Sequence, residues 1–120
     1  MSELSIKKEG IDKLVKKGVT HVNMDELSVG ELSNIDTLID SGMKVKEINQ
    51  VLVIIMGYDE DVRRSILNLL RRWKDRTTGD VIMRWSGSGY EQVYELFDYL
   101  EGRYGFYIRQ DDYELCLVRE

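Results

Sequence analysis

Between Asp59 and Arg76 the chain spells out one face of a helix. Val62, Ile66, Leu69, Leu70 and Trp73 recur at 3.6-residue spacing and fall within an arc of roughly 100°. Arg64, Asn68, Arg71 and Arg72 lie opposite, with Arg63 and Lys74 on one flank. Asp59 is placed to cap the helix, and Glu60 and Asp61 put negative charge in its first turn, where the helix dipole favours it. From Val62 to Arg76 there are six Lys or Arg against one Asp, a local +5 in a chain whose net charge is −5. A basic amphipathic helix on an acidic protein constrains the fold, because its apolar side needs a core to cover it. It also suggests a function, because its other side collects cations.

The remaining composition describes a folded domain. With 42% hydrophobic and 32% charged residues in 120, the chain can bury a core and is not of the disordered type. The start lacks the apolar segment of a signal peptide, and the longest apolar run, Val51 to Met56, is far short of the ~20 residues that span a bilayer. Cys116 is the single cysteine, which sets the expectation of a reducing cytoplasm and no internal disulfide. One Cys and one His make no zinc site within one chain. No Gly-x-Ser-x-Gly elbow accompanies His21, which reads as part of a connection between helices. The expectation is therefore a non-enzymatic protein with no catalytic residues, no metal and no cofactor.

Ahead of the basic helix the period is helical throughout. Leu4, Ile11, Leu14 and Val15 are the expected buried set of a first helix over residues 4–17, which Gly10 weakens and Gly18 ends. Asn23-Met-Asp-Glu26 has capping-box spacing ahead of a short piece at 24–27. Ser28-Val-Gly-Glu31 is a second capping box, followed by Val29, Leu32, Ile35, Leu38 and Ile39 on one face and a glycine cap at Gly42. Residues 11–18 and 35–42 echo one another at an offset of 24, as two helices ending in the same glycine cap. Val45, Ile48, Val51, Leu52 and Ile55 continue the helical spacing, so the β-branched run 51–56 is read as helix, with a buried strand as the alternative.

After Thr77-Thr-Gly-Asp80 the period changes to two. Val81, Met83 and Trp85 define one face of a strand. Ser88-Gly-Tyr-Glu91 is a third capping box, opening a helix with Val93, Leu96, Phe97 and Leu100 on its core side and Gly102 at its end. Residues 106–109 and 114–118 read as two strands joined at 110–112. The fold class expected is α+β. A helical bundle of three to four helices over residues 1–76 precedes a β-α-β-β unit with a small three-stranded sheet over 77–120, the two sharing one core.

The pieces Leu38-Ile-Asp-Ser-Gly42, Val45-Lys-Glu-Ile48 and Gly57-Tyr-Asp-Glu-Asp-Val-Arg-Arg64 resemble, in that order, the parts of helix-turn-helix or winged-helix-like DNA-binding proteins, over residues 30–76. Nine positions separate Ile48 from Gly57 where the usual pattern has about five. The resemblance implies duplex DNA as partner and a regulatory role in transcription. Arg64, Asn68, Arg71 and Arg72 then face base edges, and Arg63, Lys74 and Arg76 face phosphates. The same cations can instead be neutralised within the protein, because residues 86–120 hold eight acids and three Arg.

A second expectation rests on the last third. Tyr94, Tyr99 and Tyr107 beside Asp98 and Glu101 suit a protein-binding surface, as in a phage- or plasmid-encoded inhibitor or adaptor acting on a host protein, or a homodimer contact. Ser86-Gly-Ser-Gly89 stands between a strand and a helix start, where backbone N–H groups can hold an anion. It lacks the Gly-Lys-Ser/Thr ending of a phosphate loop and is expected to be a plain connection.

Overall fold

The apolar spacing of the first 70 residues becomes four helices. A computed structural model describes residues 2–86 and 91–119, except for the side chains of Glu91 and Gln92. The helices are α1 (Glu3–Lys17), α2 (Val29–Asp40), α3 (Val45–Ile55) and α4 (Glu60–Leu70). They are followed by strand β1 (Val81–Ser86), helix α5 (Glu91–Leu100) and strands β2 (Phe106–Gln110) and β3 (Glu114–Arg119). The third capping box, the Ser86–Gly89 loop and Tyr90 lie wholly or partly outside the described residues. The fold is α+β, with a three-stranded antiparallel sheet in the order β1-β3-β2. The chain divides into two units at Arg71/Arg72.

In the first unit the expected glycine caps form at both places. Gly18 has φ +103° and Gly42 φ +104°. Val19 and Met43 donate back to the Leu14 and Leu38 carbonyls at 3.0 and 3.1 Å, the Schellman arrangement that left-handed glycine permits. The echo between 11–18 and 35–42 is thus one stop signal used twice. The run 51–56 is helical to Ile55, and Val51, Leu52, Ile54 and Ile55 are all buried.

Several expectations are corrected. The helix that Gly10 is expected to weaken runs unbroken from Glu3 to Lys17, and Leu32 of α2 lies 3.5 Å from where a Gly10 Cβ would stand, an ordinary contact distance. Of its expected core, Leu14 alone is buried; Leu4 is 79% and Val15 46% exposed, and Ile11 is half-buried. Asn23 caps a 3-10 turn, Met24–Glu26, and accepts from the Asp25 N–H at 3.1 Å, one residue short of capping-box geometry.

One polar core residue had no signal in the spacing. Asn49, on the inner side of α3, donates from its amide to the Gly18 carbonyl at 3.0 Å and accepts from the Thr20 N–H at 3.2 Å. It fastens the end of α1 to α3 while satisfying two backbone groups that would otherwise be stranded. Asn49→Ala is expected to cost about 1–3 kcal/mol in a urea melt, the cost of leaving such groups unpaired. A change within about 0.5 kcal/mol, as for an ordinary surface substitution, would mean that water replaces both bonds.

In the second unit β3 is the central strand, and Leu115, Cys116, Leu117 and Val118 are all buried. The alternation expected for β1 breaks. Val81 pairs with Val118 but Met83 with Leu117, so an extra residue bulges out between them and Val81 and Met83 face opposite sides. Ile82 is buried with Met83 as a result. The β2–β3 turn is shifted by one residue. The Asp111 carboxylate accepts from the Tyr113 and Glu114 N–H groups at 2.7 and 2.8 Å, and these bonds hold its carboxyl below the ordinary aspartate range. Trp73, in a 3-10 turn (Trp73–Asp75), packs against Tyr104 at 5.0 Å and Phe106 at 6.0 Å between ring centres, with the Arg119 guanidinium 5.0 Å away.

Candidate nucleic-acid interface

Helix α4 carries three of the seven expected contact residues, Arg63, Arg64 and Asn68, with Arg71 as its C-cap, and its burial decides which of them are available. Its inner side is Arg63, Ile66, Leu67 and Leu70, while Val62 and Leu69 are only half-buried. The buried arc is therefore turned from the apolar pattern toward Arg63. The cause is Glu31, in the first turn of α2. Its carboxylate accepts from Arg63 Nε at 2.6 Å and Nη2 at 3.4 Å, and also from the Ser28 N–H at 3.2 Å as half of the expected capping box. Arg63 Nη2 reaches the Glu26 carbonyl at 3.4 Å as well. Glu31 is 1% and Arg63 6% exposed. Burial acts to raise the Glu31 pKa, but the bonds from Arg63 and Ser28 outweigh it and hold the carboxyl below the ordinary glutamate range. The same partner raises the Arg63 pKa further. Arg63, expected on the phosphates, is thus spent on an internal ion pair.

The outer side of α4 is Asp61, Arg64, Ser65 and Asn68, all exposed. Arg64 Nη2 meets Asp61 Oδ1 at 2.5 Å, and Arg71 Nε donates to Asn68 Oδ1 at 3.1 Å, so each arginine is held along the row by its neighbour. Ser28, Gly30, Glu31 and Asn34 from α2 and its cap complete a shallow polar groove of about 360 Å³ beside this row. Spacing on α4 alone could not supply the α2 side of that groove; the capping box at Ser28 was its only trace.

The seven expected residues do not share one helix face. Arg64, Asn68 and Arg71 line up on α4 and its cap. The α-helix stops at Leu70, because the chain tightens into the 3-10 turn that brings Trp73 against Tyr104 and Phe106. Arg72, Lys74 and Arg76 therefore belong to the second unit, with Arg72 and Lys74 exposed and Arg76 half-buried. Asp59 stands at the N-cap position without a side-chain bond to the helix. Two arginines and two acids leave α4 itself without net charge; the positive excess follows it at 71–76.

The acidic, tyrosine-bearing set is dispersed in a similar way. Tyr94 (42% exposed) and exposed Asp98 are one turn apart on α5, and Tyr107 is 38% exposed on β2. Tyr99 is half-buried with the Arg103 guanidinium 4.3 Å above its ring. Glu101 is occupied structurally, since its carboxylate accepts from the Ile108 N–H at 2.9 Å and closes the outer edge of β2.

No protein-family model matches the chain, and no curated protein or solved structure matches it either. Among the described residues no helix is long and apolar enough to cross a membrane.

Proposed function

We propose that this chain is a small non-enzymatic regulator that binds duplex DNA, in the cytoplasm, through the outer row of α4. The observation that carries the reading is the row Arg64–Asn68–Arg71, with Arg64 and Asn68 exposed and Arg71 half-buried at the cap, along a helix whose opposite side is core. Arg suits the guanine edge and Asn the adenine edge of the major groove, and the bonds within the row hold them extended along the helix. Arg63, held on Glu31, supplies no phosphate contact.

The charge inventory makes the reading quantitative. With Arg64 and Arg71 as the cations of the row, the slope of log K against log salt is expected to be no steeper than about −2, at about −0.9 per phosphate neutralised. Fluorescence anisotropy with a labelled random-sequence duplex at low salt measures it. Arg64→Ala/Arg71→Ala/Arg72→Ala should abolish binding without unfolding the chain. An absence of binding at micromolar protein would reject the DNA reading.

Exposed Tyr94 and Asp98 on α5 favour a second reading, a module that docks on a host protein in the manner of a phage- or plasmid-encoded inhibitor or adaptor. Tyr94→Ala/Asp98→Lys would then abolish partner capture and leave DNA affinity unchanged. Glu101 is a poor probe of that surface, because replacing it also opens the β2 edge.

A further inference from the structure

We propose that the outward face of α1 pairs with α1 of a second copy of this chain, the two helices running antiparallel. The proposal is independent of the DNA reading.

Leu4, Lys8, Ile11 and Val15 follow one another at steps of four, three and four residues, the spacing of a helix–helix seam. This stripe is not what seats α1 in its own unit. The helix is held there by buried Leu14, by Gly10 against Leu32, and by Lys13 and Lys17, which reach Asp36 at 2.8 and 2.5 Å. Meanwhile Leu4 and Val15 are 79% and 46% exposed, and a groove of about 420 Å³ lies beside Leu4, Lys8 and Ile11, bounded on its other side by Asp25.

A second copy fits because the stripe complements itself in one direction only. About a twofold axis at Glu9/Gly10, Leu4 meets the partner's Val15 and Lys8 lies over the partner's Ile11, its charged end within a residue of the partner's Asp12. Symmetry forms each contact twice. A parallel pair would set Lys8 against the partner's Lys8. The antiparallel direction also opposes the two helix dipoles. At 15 residues and about 22 Å, the seam buries less than the ~1,000 Å² usual for a stable interface, so pairing is concentration-dependent.

Sedimentation equilibrium from about 5 to 500 µM should show the mass rising toward that of a dimer. Leu4→Lys should hold the chain monomeric with an unchanged circular dichroism spectrum, since the side chain it replaces is largely in water. Lys8→Asp should weaken pairing at least tenfold, and Lys8→Asp/Asp12→Lys should restore it. In a cysteine test, Leu4→Cys mixed with Val15→Cys should cross-link while neither does so alone. A monomer over the whole range, failure of the charge swap to restore pairing, or self-linking of Leu4→Cys would each overturn the proposal.

Discussion

Arg63→Met should unfold the helical unit, or bring it close to unfolding, at neutral pH. The substitution keeps much of the apolar length of the side chain and removes only its guanidinium. Glu31 is then left ionised in a site where it is 1% exposed. Breaking one side of a buried pair costs about 3–5 kcal/mol, a large part of the stability of any small domain. Replacing both partners, as in Glu31→Met/Arg63→Met, should be far milder, apart from the roughly 1 kcal/mol lost with the Glu31 half of the capping box. Urea melts followed at 222 nm distinguish the two, and equal losses in the single and double variants would refute the ion-pair account. The pH dependence has a definite sign. Glu31 is held below its ordinary value of 4.5, so its contribution is complete above that pH and is lost as pH falls through the lower folded value. Arg63 is raised above an already high value and stays charged throughout. The wild-type chain should therefore lose part of its stability in acid, and the Glu31→Met/Arg63→Met variant should not lose that part.

Ile66→Asp is the second change expected to be severe. Ile66 is 1% exposed between Arg63 and Leu70 on the inner side of α4, and the nearest guanidinium on that side, Arg63, is already held by Glu31. An unpaired buried charge together with a lost apolar side chain should exceed 4 kcal/mol. Arg64→Ala and Arg71→Ala, on the same helix, should stay within about 0.5 kcal/mol. This contrast separates DNA affinity from folding. Near-wild-type melting of Ile66→Asp would mean that α4 is not the core element described above.

The helices and strands were legible because period and stop signals agree. The echo at 11–18 and 35–42 gave two glycine caps, and the loss of helical period at Thr77 gave the change to strands. What could not be read is that α1 turns most of its apolar series outward. Leu4, Ile11 and Val15 form as regular a series as any, but Leu14 alone is buried, and Lys13 and Lys17 pair with Asp36 of α2 on the other side of the helix. Arg63 shows the same limit for charge. Its spacing groups it with Lys74 on the flank of the basic face, but its partner Glu31 is 32 residues away, and only the fold brings the two together. The bulge in β1 is a third case, since an extra residue in a strand leaves alternation intact in the sequence while reversing it in space. Of the seven residues expected at the interface, Arg64, Asn68 and Arg71 are the ones that line up along the outer side of α4 and its cap.

The strand order β1-β3-β2 has a consequence for synthesis. The two strands made first, 81–86 and 106–110, are not neighbours, and each finds its partner only in residues 114–119. No rung of the sheet can form on the ribosome until that last strand has emerged. The four helices, complete by Leu70, can condense many residues earlier. For an interval in every round of translation, finished helices are followed by two unpaired strand segments that carry Trp85, Phe106 and Tyr107.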